Sequence, residues 1–264
     1  MRVIWLTDIH LNFIGHDRIV AFCRDLSSAK PGAILIGGDI GEAAHVGGYL
    51  QRLEASLSVP IYFVLGNHDY YGGSLTAVRK ELADIIHQSN CLFWLPSAGI
   101  VELTAEIGLV GHDGWADARF GDYANSQVML NDYLMIAELR GLDRSQRQVR
   151  LNALGDAAAE HFRNVLPQAL SRFSQLLVLT HVPPFREACW HEGKISNDDY
   201  LPHFSCKAVG DVLVEMMQSH PERKMTVLCG HTHSSGEAQI LPNLLVRTGA
   251  AIYGRPQIQD VLEL

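Results

Sequence analysis

The sequence predicts an α/β fold in which parallel strands are joined by helical crossovers. Three observations carry that expectation. The first third alternates strand, helix, strand, helix, strand, the pattern of crossover-linked parallel strands. Its strand candidates are short, continuous apolar runs that read as buried strands. The 264 residues, 47% hydrophobic and 19% charged, are enough for a substantial core, as one large domain or two small ones.

Residues 2–7 are apolar and rich in strand formers (Val3, Ile4, Trp5), and they run into Asp8-Ile9-His10. Residues 17–29 carry Ile19, Val20, Phe22, Cys23 and Leu26 at helical spacing until Pro31-Gly32 stops them. Ala33 to Ile36 is a strand ending in Gly37-Gly38-Asp39. Residues 42–57 read as a helix through Tyr49, Leu50, Leu53 and Leu57, with Gly47-Gly48 working against it. Pro60 opens the strand Ile61 to Leu65, which stops at Gly66-Asn67-His68-Asp69.

Residues 74–88 read as a helix. Strands follow at 92–95, 100–103 and 107–110, and their close turns suggest antiparallel pairing and a second sheet. The last of them enters Gly111-His112-Asp113-Gly114-Trp115. A short helix is expected over 131–139. A long one over 145–173 repeats Leu151, Leu154, Ala158, Phe162 and Leu166, and Pro167 is expected to kink or split it. Leu176 to Leu179 is a strand ending in Thr180-His181. Residues 182–204 have no periodicity and read as a long loop, whose Phe185, Trp190 and Tyr200 argue against disorder. A helix over 209–219 and a strand from Met225 to Cys229 lead into Gly230-His231-Thr232-His233. Short strands at 240–241, 244–246, 251–252 and 261–262 finish a sheet. No repeat or linker divides the chain. It reads as one domain over 1–264, with excursions at 115–175 and 182–207 near a site.

Composition excludes several classes. Lys and Arg number 21 against 29 Asp and Glu, a formal charge of −8, which argues against a partner held by phosphate neutralisation, nucleic acid above all. The five cysteines are dispersed and form no Cys-x-x-Cys pair, against a disulfide framework or a zinc-thiolate site. A reducing compartment is expected. No apolar run reaches the length of a membrane span, and the N-terminal run is too short for a signal peptide, so a cytoplasmic protein is expected.

Five apolar strands thus end in metal-ligand residue types: Asp8 with His10, Asp39, Asn67 with His68, His181, and His231 with His233. Each taken alone has an ordinary reading as a cap or surface residue. Together, at the same end of their strands, they form a constellation, because sites in open α/β sheets lie beyond the strands' carboxyl ends. Residues i and i+2 of an extended backbone share a face, so Asp8 with His10 and His231 with His233 could each present two groups to one site. Carboxylate, imidazole and amide without thiolate favour Mn, Fe, Co, Ni or Zn in a catalytic role over a structural zinc. Even with His68 set aside as a proton carrier, seven candidate ligands exceed the need of one ion and point to a two-metal site.

Asp8-x-His10, Gly38-Asp39, Gly66-Asn67-His68-Asp69, His181 and Gly230-His231-x-His233 resemble, in order, the five motifs of the calcineurin-like metallophosphoesterases. The resemblance implies a four-layer α/β/β/α sandwich of two mixed sheets with flanking helices. It implies that Asp8, His10 and His233 hold one metal, that Asn67, His181 and His231 hold the other, and that Asp39 bridges them. His68 would face the scissile phosphate as general acid or charge-stabilising donor, with Asp69 orienting it. The reaction implied is attack by a metal-bridging hydroxide on a phosphate ester of a small molecule, with two divalent cations as cofactors. The intact Gly-Asn-His-Asp and the Ile40-Gly41-Glu42 after Asp39 differ from the protein-phosphatase and lipid-sugar pyrophosphatase branches. A phosphodiesterase or phosphomonoesterase remains. The alternatives are a nuclease of the same superfamily and an inactive protein-binding scaffold.

For substrate binding the candidates are His112, Tyr70 and Arg186. His112 could contact substrate or serve its own loop. Tyr70 and Tyr71 could wall the substrate or pack in the core. Arg186, with Trp190, His191, Tyr200 and His203, could form a lid or an ordinary surface excursion. The oligomeric state has no signature in the sequence.

Overall fold

A computed structural model describes residues 1–264. The chain begins β1 (Arg2–Leu6), α1 (His16–Ser28), β2 (Ala33–Gly37), α2 (Val46–Leu57), β3 (Ile61–Val64), α3 (Leu75–His87) and β4 (Leu92–Trp94). It continues α4 (Leu95–Ala98), β5 (Val101–Glu102), β6 (Ile107–His112), α5 (Asp132–Met135), α6 (Arg144–Arg172) and β7 (Gln175–Thr180). The remainder is β8 (Trp190–His191), β9 (Lys194–Ile195), α7 (Leu201–Phe204), α8 (Lys207–Ser219), β10 (Lys224–Cys229), β11 (Gly236–Leu241), β12 (Leu244–Thr248) and β13 (Asp260–Glu263).

Two large mixed sheets result, in the orders β13-β1-β2-β3-β4 and β11-β12-β10-β7-β6-β5. Each has a parallel interior and antiparallel edge pairing: β13 on β1 in the first sheet, β11 on β12 and β5 on β6 in the second.

Alternation along the strands explains the layering. On β1, Val3 and Trp5 face the second sheet and join Leu35, Val64, Leu109, Leu177, Leu179 and Leu228 in a dry layer between the sheets. Ile4 and Leu6 point the other way, with Ile34, Ile36, Ile61 and Phe63, against α1, α2 and α3. On the far side, Val178, Val227 and Val246 pack against Phe162 and Leu166 of α6 and Val212 and Leu213 of α8. Both faces of the central strands β1, β2, β3 and β7 are therefore buried, which is why those strands lack a polar face. This is the expected helix, sheet, sheet, helix order.

Several local expectations change. Pro167 neither splits nor ends α6, which runs unbroken from Arg144 to Arg172. Its apolar face (Ala158, Phe162, Leu166, Ala169, Leu170) is buried on the second sheet, and that packing offsets the cost of an interior proline, about 3 kcal/mol for the lost bond and the ring clash together. Residues 251–252 are loop, and 261–262 lie in β13, which pairs with β1 and finishes the edge of the first sheet. The 182–204 region contains a small β8–β9 hairpin and the single turn α7. No helix is long and apolar enough to cross a membrane.

Candidate metal centre

The carboxyl ends of β1, β2 and β3 in one sheet meet those of β7 and β10 in the other. Backbone bonds continue each sheet past its strand ends: Asp8 N–H donates to Gly38 O at 3.0 Å in the first and Gly230 N–H to His181 O at 2.9 Å in the second. The strands stop short of the candidate residues, and tight turns aim the side chains. Asp8, His10, Asp39, His231 and His233 have φ of 50°, 40°, 52°, 70° and 60°, five of the nine non-glycine residues in the left-handed region. That conformation costs about 1–2 kcal/mol per L-residue and persists where its surroundings over-determine it. The shared-face argument for Asp8 with His10, and for His231 with His233, therefore does not apply. Neither pair is extended, and each residue is delivered by its own turn.

Two glycines allow the approach. A Cβ on Gly66 would stand 2.1 Å from Asp39 Oδ1, and one on Gly230 would stand 2.0 Å from Asp8 Oδ2.

The side chains gather in two groups around Asp39. In the first, His10 Nε2 lies 3.2 Å from His233 Nε2, which lies 3.4 Å from Asp8 Oδ1. Asp39 Oδ2 is 3.7 Å from His10 Nε2. In the second, Asn67 Oδ1 lies 3.1 Å from His181 Nε2 and 3.0 Å from His231 Nδ1. Asp39 Oδ1 is 3.4 Å from the same His181 nitrogen. Ligand atoms sharing one cation at 2.0–2.1 Å stand about 2.8–3.4 Å apart. Most of these separations lie in or near that range.

The second group shows why a cation fits. His181 Nδ1 donates to Gly37 O at 2.8 Å, and His231 Nε2 donates to His203 O at 3.1 Å. With its outer nitrogen donating, each ring turns its other nitrogen inward. The Asn67 amide donates outward, to Asp132 Oδ1 at 2.8 Å and Tyr71 Oη at 3.1 Å, so its oxygen also faces in. Two ring nitrogens and an amide oxygen converge, each oriented by a hydrogen bond on its outer side, an arrangement that a cation satisfies. His10 lacks such an outer partner, its Nδ1 being buried and unpaired.

Electrostatics agree. Burial, then the charges of Asp8 and Asp69, push the Asp39 carboxyl well above its ordinary value. Burial also raises Asp8, but His233, His181 and His10 together bring it below the usual carboxylate range. Burial lowers His10 and His231 to about 3, leaving neutral imidazoles suited to ligation. Burial would also lower His233, but its bond to Asp8 holds it above the ordinary value.

His68 lies beside both groups. Its N–H donates to Asp39 Oδ1 at 2.9 Å, its ring stacks on Tyr71 at 4.2 Å, and its Nε2 is 4.0 Å from Asp39 Oδ2. Burial lowers it to about 3. Asp69 does not orient it. The Asp69 carboxylate accepts from the N–H groups of Ile40, Gly41 and Gly66 at 2.8, 2.8 and 2.9 Å. Burial raises Asp69 to about 7 against the pull of those bonds. Its work is to tie the β2 and β3 turns together.

A cleft of about 350 Å³ opens over the centre, lined on its outer walls by Tyr71, Met129, Leu130, His191, Phe204 and Tyr253. None of the three substrate-binding candidates lines it. Tyr70 is fully buried and donates to Asp113 Oδ2 at 3.0 Å, because the turn after His68 directs Tyr71, not Tyr70, outward. His112 accepts from Gly114 N–H at 3.0 Å and packs on His161 and Phe162, in the second-sheet layer. Arg186 pairs with Asp198 at 2.9 Å on the surface. Asp132 and Tyr253 were not anticipated. Asp132 lies in the short helix expected over 131–139 and Tyr253 just past the strand expected at 251–252, so no local signal marked either.

A family model described as calcineurin-like phosphoesterase matches residues 1–235. Among solved structures, a dimetal phosphatase from Danio rerio aligns with a TM-score of 0.61 and 14% identity, over 97% of this chain and 89% of its own. A phosphopantetheinyl hydrolase from Mycobacterium tuberculosis aligns with a TM-score of 0.64 and 13% identity, over 95% of this chain and 89% of its own. At these identities the likeness shows a shared fold. No curated protein matches. Since the family match spans most of its length, this chain belongs to the calcineurin-like phosphoesterase family and is a metal-dependent hydrolase of phosphoester bonds that works with two divalent cations.

Proposed function

We propose that the chain hydrolyses a phosphate ester of a small molecule, with Asp8, His10 and His233 holding one cation, Asn67, His181 and His231 the other, and Asp39 shared. The observation that carries this reading is the division of Asp39: Oδ2 faces His10 at 3.7 Å and Oδ1 faces His181 at 3.4 Å. Two divalent cations, when bound, supply the charge that holds a phosphoryl group and makes water a stronger acid. Manganese, iron, zinc, cobalt and nickel all suit the donor set.

The remaining work belongs to the side chains. Neutral His68 has one proton to place. Its Nδ1 is buried without a partner, so the proton belongs on Nε2, which faces the cleft. From there it donates to the oxygen leaving phosphorus. Asp69 acts one step back, by holding the turns that set Asp39 and His68.

The cleft volume suits a small organic phosphate, and its apolar and aromatic wall suits the ester's organic part. A phosphodiester or a phosphomonoester meets this description. The net charge of −8, with no Lys or Arg lining the cleft, speaks against a nucleic-acid groove. Residues 1–264 act as one domain in this reading, with the 115–175 and 182–207 excursions supplying cleft walls. The five free cysteines, four of them buried, support a reducing, cytoplasmic setting.

The test is a metal-by-substrate panel. Chelator-stripped protein is reloaded with Mn, Fe, Zn, Co, Ni or Mg and offered an aryl monoester, an aryl diester, cyclic nucleotides and DNA. Hydrolysis of small esters is expected only after reloading, and His68→Ala should lose about 10²- to 10⁴-fold. Protein that retains no metal and cleaves nothing would instead be a scaffold. Preferential cutting of DNA would make it a nuclease, and full activity in His68→Ala would remove His68 from the chemistry.

A further inference from the structure

Between β12 and β13 the chain crosses the mouth of the cleft as a strap. Both ends are tied. Gly249 N–H donates to Cys229 O at 2.8 Å and Ala251 N–H to His233 O at 3.2 Å. Gln259 clasps Ala250, accepting its N–H at 2.9 Å and donating to its carbonyl at 2.7 Å. Arg18 donates to Gly254 O at 2.6 Å, where φ is 74°. These bonds tie the strap to the end of β10, to the turn that carries His233 and to α1, so the strap is a built element. It lies beyond the family-matched residues 1–235.

The strap presents Tyr253. Its ring packs on His10 at 4.6 Å, Phe13 at 4.7 Å and His233 at 5.0 Å. The residue is still 46% exposed and lines the cleft. Its hydroxyl is 3.5 Å from His68 Nε2, at the outer limit of a hydrogen bond. Two donors aimed at one place, neither well satisfied by the other, leave room for an oxygen that accepts from both.

We propose that Tyr253 is a further catalytic residue, its hydroxyl donating beside His68 Nε2 to the departing oxygen of the ester. It keeps its own proton and forms no covalent bond. The proposal rests on the reading of His68 given above. Its energetic consequence depends on the leaving group. A leaving oxygen whose conjugate acid is acidic stabilises its own developing charge and gains less from a donor, so poor leaving groups need Tyr253 most.

The experiment compares wild type, Tyr253→Phe and His68→Ala, all metal-loaded, on methyl 4-nitrophenyl phosphate and methyl phenyl phosphate, or on the matching monoesters if the enzyme prefers them. Tyr253→Phe keeps the ring against His10 and Phe13 and removes only the hydroxyl. Its kcat is expected to fall about tenfold on the phenyl ester and less than about threefold on the 4-nitrophenyl ester, with KM unchanged. Bound metal and unfolding midpoint should match wild type. An equal loss on both esters, or no loss, overturns the proposal. So does a fall in bound metal that accounts for the loss, since it would assign Tyr253 to holding the centre. If His68→Ala shows the leaving-group dependence and Tyr253→Phe does not, only Tyr253 is excluded. If neither shows it, the reading of His68 fails first.

Discussion

Gly230→Ala should dismantle one half of the metal centre by contact alone. Gly230 is not among the glycines with positive φ, so alanine's backbone preference is not at issue. The added Cβ would stand 2.0 Å from Asp8 Oδ2 and 2.1 Å from Thr7 Oγ1. Real Cβ contacts do not fall below 3.0 Å, so Asp8 or the β10 turn must give by about 1 Å. Asp8 has little freedom, because its Oδ2 accepts from Thr7 Oγ1 at 2.5 Å and its Oδ1 from His231 N–H at 3.0 Å. Overpacking of this kind costs about 1–3 kcal/mol of stability. A displacement of about 1 Å at a catalytic group costs on the order of 10²-fold in rate. The assay measures metal stoichiometry, ester hydrolysis and denaturant unfolding on one preparation. The expected result is fewer than two metals per chain, about 10²-fold slower turnover and a loss of about 1–3 kcal/mol. Gly48→Ala is the control. Nothing lies within 4 Å of its added Cβ and it sits inside α2, so it should gain about 0.5–1 kcal/mol and keep full activity. A Gly230→Ala protein with two metals and wild-type turnover would refute the placement of Asp8.

Two other perturbations follow from hydrogen bonds that hold the centre from outside. Asp132→Ala frees the Asn67 amide and the Tyr71 hydroxyl, which donate to Asp132 Oδ1 at 2.8 and 2.7 Å. Affinity for one of the two metals should drop about 10- to 100-fold while the other is kept, and calorimetric titration showing two undisturbed sites would exclude that role. His203 is the second. Burial, reinforced by Arg147 and Arg144, holds its imidazole at about 4, below the ordinary 6.5. The unfolded chain therefore takes up this proton first, and stability is lost as pH falls from about 6.5 to about 4, by on the order of 3 kcal/mol. Urea unfolding of metal-free protein across that window should show a shallower loss for His203→Gln, and an unchanged slope would rule out the residue as the cause.

Residue type and order were enough to mark the strand ends. An apolar run that stops at Asp8, Asp39, Asn67, His181 or His231 is a local signal, and so is the helical period of α1, α3 and α8. Both were legible because burial imposes its pattern within a few residues. The motif order also carried the layered fold, with parallel strands delivering polar groups to one edge.

Tertiary structure decided what depends on meetings between distant segments. Asp132 reaches Asn67 across 65 residues, and Tyr253 reaches His68 across 185. Sequence separation says nothing of such approaches, because the packing of both sheets brings them about. Tyr70 and Tyr71 are neighbours of one chemical type, yet one turn of backbone buries the first on Asp113 and gives the second to the cleft. Asp69 looked like a partner for the adjacent His68, but three N–H groups from two turns claimed its oxygens first. Even Gly66-Asn67-His68-Asp69 therefore divides by geometry. The sequence determined which groups were available at the strand ends, and only the meeting of two sheets decided where each atom points.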